Sequence, residues 1–171
     1  MELQSDRDVD ADTAVTELYA AHYAELVRLA TLLLRDQAVA EEVVQDAFVA
    51  LHRRWRKLRD SGAAVGYLRT SVVHGTRSIQ RRRAVRARHP EELPPHAPSA
   101  EYLAVSHAAG GAVVEALRTL PPRQREVLVL RFYAGLSEAE IADAMTISRG
   151  AVKSHASRGM AALRTAMEPW S

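Results

Sequence analysis

The residues best suited to chemistry in this 171-residue chain are cations at helical spacing. Within the segment Leu136 to Leu163, the last helix carries Arg149, Lys153, Ser154, His155, Ser157 and Arg158, followed by Arg164, with no acidic residue between Arg149 and Glu168. Long cations and hydroxyls on the N-terminal half of one helix are what phosphates and guanine edges in a DNA major groove require. A packed helical hairpin with a solvated basic face is the plainer reading of the same residues. A second basic block holds Arg53, Arg54, Arg56 and Lys57, then Arg69, Arg77, Arg81, Arg82 and Arg83, with Trp55 and Tyr67 interleaved. Cations mixed with aromatics suit single-stranded or distorted nucleic acid, whose exposed bases stack on rings. Trp55 fits better as a core residue at helical spacing. A third group is acidic: Glu41, Glu42, Gln45 and Asp46 share one helix face, either simply solvated or a docking surface for a basic protein.

Enzymatic chemistry has no comparable support. The chain has no cysteine, so disulfides, thiolate metal sites and cysteine nucleophiles are excluded. The seven histidines (22, 52, 74, 89, 96, 107 and 155) show no paired ligand spacing, and no H-E-x-x-H helix occurs. There is no phosphate-cradling glycine loop and no nucleophile elbow. No catalytic residue, metal or cofactor is expected.

The elements that must carry these residues are helices. Leu18, Ala21, His22, Leu26, Leu29 and Leu33 recur at three- and four-residue steps, and Val43, Val44, Ala47, Phe48, Leu51, Trp55 and Leu58 form a second stripe. Asp60, Ser61 and Gly62 break the pattern as a turn spanning residues 60–64. A third helix is expected from near Val65, with Tyr67, Leu68, Val72 and Ile79 inward and its arginines outward. Pro90, Pro94, Pro95 and Pro98 then prevent a helix and favour an extended linker. A further stripe of Val105, Ala109, Val113, Ala116, Leu117 and Leu120 follows, with Gly110 and Gly111 lowering helix propensity in its middle. Pro122 opens the next helix, Arg123 to Ala134, and Gly135 suits its C-terminal cap. Ser137 and Glu140 have capping-box spacing, and Ser148 can cap the last helix. Ile141, Ala142 and Val152 face inward, which makes a helix-turn-helix pattern. The fold class is all-α: two small helical domains joined by a proline-rich linker, the second containing a helix-turn-helix.

Composition narrows the partners. With 47% apolar residues and a net charge of +2 the chain is globular rather than wholly disordered. Its charge is segregated, however: −8 over residues 1–51, +11 over 52–88 and −1 over 89–171. A positive block favours polyanions, nucleic acid first, then acidic protein surfaces or lipid head groups. No apolar run approaches a membrane span, and the acidic start is unlike a signal peptide, so a soluble cytoplasmic protein is expected. Residues 1–13 are expected to be disordered.

Three stretches together resemble the extracytoplasmic-function (ECF) sigma factors, small two-domain bacterial transcription-initiation factors. They are Leu18-Tyr19-x-x-His22 with its leucine-rich helix, Ala40-Glu-Glu-Val-Val-Gln-Asp-Ala-Phe48, and Leu120-Pro-Pro-Arg-Gln-Arg-Glu-Val-Leu128 running into Leu136-Ser-Glu-Ala-Glu-Ile-Ala142 and Val152-Lys-Ser154. The resemblance implies sigma domain two at 14–86, a flexible linker at 87–107 and sigma domain four at 108–168. It implies docking of Glu41, Glu42, Gln45 and Asp46 on the β′ clamp helices of core RNA polymerase, a contact with the β flap, and an anti-sigma partner. Residues Arg59, Asp60, Ser61, Gly62, Ala63 and Ala64 would capture a flipped base of the −10 promoter element, supported by Arg69, His74, Arg77 and Arg81. Arg149, Lys153, Ser154, His155, Ser157 and Arg158 would meet the −35 element. The implied location is the cytoplasm, at the nucleoid, with no membrane insertion.

Three residues depart from the family pattern. Thr146 replaces a usual turn glycine, so either the turn is shifted or Thr146 sits in an ordinary backbone region. Ala151 replaces a common threonine, and His74 stands where asparagine is frequent. A stand-alone helix-turn-helix regulator fits residues 120–168 equally well but leaves the basic block unexplained. A helical adaptor that binds no DNA is the third reading.

Overall fold

The computed structural model describes residues 2–58, 60–88 and 110–170, nearly all of them helical. Helix α1 spans Glu2–Leu34, α2 Gln37–Leu58 and α3 Ser61–Ala87. After the undescribed residues, α4 spans Gly111–Thr119 and α5 Pro122–Leu128, which continues as a π-helical turn over Val129–Tyr133. Helices α6 (Glu138–Met145) and α7 (Arg149–Met167) complete the chain, with a 3₁₀ turn at Glu168–Trp170. No strand occurs among the described residues.

Helices α1 to α3 form one bundle because their apolar stripes meet. Leu29, Leu33, Val44, Leu51, Leu68, Val72 and Val73 are all buried, and Trp55 joins them as core. Polar groups of α3 then close the exposed end of α1. Gln80 Nε2 donates to the Leu33 carbonyl at 3.1 Å, and Arg83 Nη1 donates to the Leu34 carbonyl at 2.8 Å. A helix C-terminus leaves such carbonyls unpaired, and a cation there also complements the helix dipole. Asp36 caps α2 by accepting from the Val39 N–H at 3.2 Å, and pairs with Arg83 at 3.4 Å.

Several sequence expectations need correction. Residues 2–13 are not a disordered tail: they extend α1, Ala11 is buried, and Asp12 meets His52 of α2 at 2.6 Å. The turn expected over residues 60–64 is shorter, because Asp60 caps α3 by accepting from the Gly62 N–H at 3.1 Å. That cap starts the helix at Ser61, four residues early, and Gly62, Ala63 and Ala64 complete its first turn. Helix α4 begins at Gly111 within the described residues, so Gly110, at φ +81°, precedes the helix instead of interrupting it. Val105, Ala109 and most of the expected linker lie outside the described residues, although Ala87 still belongs to α3.

Other expectations hold. Pro122 opens α5, and Gly135 sits at φ +68° behind the π turn, where a Cβ would be strained. The capping box is closed on both sides, Ser137 N–H to Glu140 at 2.7 Å and Glu140 N–H to Ser137 at 3.2 Å. No helix among the described residues is long and apolar enough to cross a membrane.

Gly75 marks a close approach of α3 to α2, since a Cβ there would lie 2.8 Å from Val43 Cγ1. Gly75→Ala is therefore expected to destabilise the protein by about 1–3 kcal/mol despite the better helix propensity of alanine. A lowered urea midpoint with an unchanged slope checks this.

Candidate nucleic-acid interface

The second bundle is organised around a helix-turn-helix. Val127, Leu130, Ile141, Met145 and Val152 are buried, with Ala142 and Ala156 beside them. The turn between α6 and α7 is a left-handed closure on Thr146, at φ +55° and ψ +47°. The Ile147 N–H reaches the Ala142 carbonyl at 3.0 Å, and the Thr146 N–H reaches Asp143 at 3.3 Å. Those two bonds are a Schellman closure, and they hold a β-branched residue where glycine is cheaper. Neither a shifted turn nor an ordinary backbone region is what occurs.

Helix α7 starts at Ser148, whose Oγ accepts from the Ala151 N–H at 3.1 Å. With Val152 and Ala156 turned inward, Arg149, Lys153, Ser154, Ser157 and Arg158 are all exposed. Arg158 Nε lies on the Ser154 carbonyl at 3.3 Å, and Lys153 only brushes Glu138 at 3.9 Å with 71% of its side chain exposed. Both cations are thus available to a ligand. His155 differs from expectation. It is half-buried, and its Nδ1 is enclosed without a hydrogen-bond partner, so it faces the bundle more than any groove.

On the first bundle, Glu42, Gln45 and Asp46 are exposed and Glu41 is half-buried, accepting from Gln37 at 3.0 Å. Beside this face Tyr19 stacks on Tyr23 with ring centres 4.4 Å apart and tilts against Phe48 at 5.0 Å. Arg59 lies outside the described residues. Ala64 is fully buried and has nothing to offer a base, which corrects its place in the expected loop. Asp60, Gly62 and Ala63 remain exposed, as do His74 and Arg81. Arg69 is half-exposed and 3.7 Å from Glu25. Tyr67 is half-buried with the Arg54 guanidinium 5.7 Å from its ring centre.

Arg77 is the main departure from an outward-facing arginine helix. Its Nη1 donates to both oxygens of Glu126, at 3.1 and 3.2 Å, and its Nη2 donates to the Met145 carbonyl at 3.0 Å. The side chains are only 12% and 7% exposed. Burial raises the Glu126 carboxyl above the usual range, outweighing the opposing pull of Arg77. The Tyr133 hydroxyl, raised by burial, lies 3.5 Å from the Glu25 carbonyl across the same junction. Sequence periodicity shows that α3 carries many arginines, but not which of them meets another bundle.

A further feature had no sequence signal. The π turn leaves Phe132 64% exposed beside an apolar groove of about 310 Å³. Val113, Val114, Leu117, Met160 and Leu163 line it from the second bundle, and Leu32 from α1. π turns recur at functional positions because the extra residue per turn displaces side chains from their helical register.

Two helical bundles therefore meet, the second holding a helix-turn-helix with an exposed basic face. The family model for Sigma-70 region 2 matches residues 18–86, and that for Sigma-70, region 4 matches residues 110–163. The RNA polymerase sigma-E factor of Streptomyces avermitilis is 33% identical, over 84% of this chain and 79% of its own length. The ECF RNA polymerase sigma factor SigM of Mycobacterium tuberculosis is 32% identical, over 88% and 75%. The fold is shared with the sigma factor RpoE of Bartonella quintana, solved with the anti-sigma factor NepR (TM-score 0.60, 20% identity, 89% of this chain and 97% of that one). It is also shared with CnrH, solved with the cytosolic domain of CnrY (TM-score 0.58, 22% identity, 96% and 98%). The chain belongs to the ECF class of RNA polymerase sigma factors, which are not enzymes. The stand-alone regulator and the adaptor give way to this assignment.

Thr146→Gly is expected to raise the unfolding free energy by about 1 kcal/mol, because it relieves a left-handed β-branched residue. Urea denaturation checks it, and a fall instead would mean that the threonine side chain contributes a compensating contact.

Proposed function

We propose that this sigma factor docks on core RNA polymerase through the α2 face of Glu42, Gln45 and Asp46, with Glu41 at its edge. Carboxylates held on one side of a rigid helix complement a basic partner surface and steer its approach. Tyr19, stacked beside them and 41% exposed, supplies apolar area to the same contact. The groove next to Phe132 suits an apolar helix of the polymerase, the β flap, because such a helix buries its stripe in a groove lined by aliphatic residues.

Promoter reading divides between the bundles. Arg149, Lys153, Ser154, Ser157 and Arg158 meet the −35 element in the major groove. Around Asp60, Gly62 and Ala63 the start of α3 receives a flipped base of the −10 element, with Arg69, His74 and Arg81 behind it. Arg77 joins them only when the bundles part, since Glu126 and Met145 occupy its donors in the packed arrangement. Phosphate contacts set position and salt dependence, while few side chains read bases. An anti-sigma protein is the fitting regulator, covering both faces at once. Residues 14–86 and 108–168 are the two functional domains, and the working location is the cytoplasm, at the nucleoid.

One observation carries this reading. The outward side of α7 holds cations and hydroxyls with no buried partner, while its inward side is fixed by Val152 and Ala156.

Two experiments test it. Co-elution with bacterial core polymerase on gel filtration is expected for the wild type and lost for Glu42→Lys/Asp46→Lys. Retention by that variant would refute the docking face. Lys153→Ala/Arg158→Ala is expected to keep core binding and reduce run-off transcription by about tenfold or more, at about 1–3 kcal/mol per lost contact. Full output from this variant would remove α7 from promoter recognition.

A further inference from the structure

Packing of the two bundles creates a cleft of about 590 Å³ that neither bundle has alone. Six arginines line it from three helical elements: Arg35 at the end of α1, Arg77, Arg81 and Arg83 on α3, and Arg123 and Arg125 on α5. Glu126 is the one carboxylate in the lining, and it is committed to Arg77 through both oxygens. Arg83 is committed to the Leu34 carbonyl and Asp36. Among the described residues, no hydrogen bond engages the guanidinium groups of Arg35, Arg81 or Arg123, although Arg123 and Arg125 also feel the charge of Glu126. Arg35 also holds a left-handed backbone, φ +60°, where glycine or asparagine is cheaper and would bring no charge.

Gathering like charges into a concave, partly dry site is unfavourable unless an anion neutralises them. Guanidinium forks from separate elements suit phosphate oxygens, which they engage in parallel pairs. The volume lies in the range of small-ligand sites, and Leu33 and Pro122 give it an apolar wall. We propose that this interdomain cleft binds a compact anion carrying two or more phosphates, of nucleotide size, and that the bound anion holds the bundles together. Because Arg77 and Arg81 belong to the −10 contact set proposed above, the anion opposes promoter engagement. That consequence rests on the promoter-reading role of α3, whereas the binding itself does not.

Calorimetric titration of the full chain with inorganic tripolyphosphate tests the site, using Arg81→Ala/Arg123→Ala against a charge-matched control, Arg53→Ala/Lys57→Ala on α2. All four side chains are exposed, so the variants should fold, which thermal melts verify. Binding of tripolyphosphate by the wild type is expected, weakened about tenfold or more by the cleft variant and changed less than about twofold in the control. Equal weakening in both variants would reduce the effect to diffuse attraction and overturn the proposal. So would orthophosphate binding as tightly at matched ionic strength, or no tripolyphosphate binding by the wild type. Loss of DNA oligonucleotide binding in the cleft variant, without tripolyphosphate binding by the wild type, would make the cleft a nucleic-acid surface instead. The readout needs no polymerase, so failure to bind core would sink the docking face and leave this result standing.

Discussion

A guanidinium taken out of water must find acceptors for its N–H groups, and Arg77 finds them on the opposite bundle. Both oxygens of Glu126 and the Met145 carbonyl at the end of α6 take its donors. Desolvating such a pair costs nearly as much as the attraction returns, so its net contribution to stability is small. Its contribution to geometry is larger. Removing either partner would strand a buried charge, at a cost of about 3–5 kcal/mol, so the bundles cannot slide past one another without that penalty. The same three contacts tie α3 to α5 and to the C-terminus of the first helix of the helix-turn-helix. The relative setting of the two proposed surfaces, and the arginine-lined cleft between them, depend on this side chain together with the Tyr133–Glu25 contact and the apolar contact of Leu32 with the second bundle.

Around that constraint each surface is built by a local device. Asp60 and Ser148 begin the two helices that carry the proposed DNA contacts, and each cap decides which residues of its helix face outward. The capping box at Ser137 and Glu140 sets the start of α6, and the Schellman closure at Thr146 sets the angle at which α7 leaves it. Glu140, held below the usual carboxylate range by the Ser137 N–H, stays ionised at neutral pH and keeps that box closed. The acidic face of α2 and the basic helix α3 belong to one bundle, yet their charges stay apart because the apolar stripes of both helices lie between them. The proposed docking face and the proposed DNA contacts therefore lie on different surfaces.

Sequence legibility followed the range of the interaction. Ser137, Ser148, Pro122 and Gly135 were readable because a cap or turn is decided within four residues. The stripes through Leu29, Val44 and Leu68 were readable because burial imposes the helical period. The start of α3 was misplaced because Asp60, Ser61 and Gly62 suit a turn and a helix N-terminus alike. Residues 2–13 looked unstructured by charge, yet Ala11 and Asp12 find partners across the bundle, which no local pattern announces. His155 had the spacing of a base reader and the burial of a scaffold residue.

The sequence by itself determined the helices, the family, the segregation of charge and the residue types presented on α2, α3 and α7. The helices and their faces follow from local propensity and a period of 3.6 residues, both encoded in neighbouring positions, whereas the family follows from the resemblance carried by the three motif stretches. Tertiary structure alone decided that Arg77 is a buried partner of Glu126, that Ala64 is core, and that Phe132 stands exposed on a π turn. It also decided that arginines from three helical elements converge on one cleft. Those outcomes depend on contacts between residues 49 to 68 positions apart in the case of Arg77, where the nearest acceptor is set by packing and not by sequence distance.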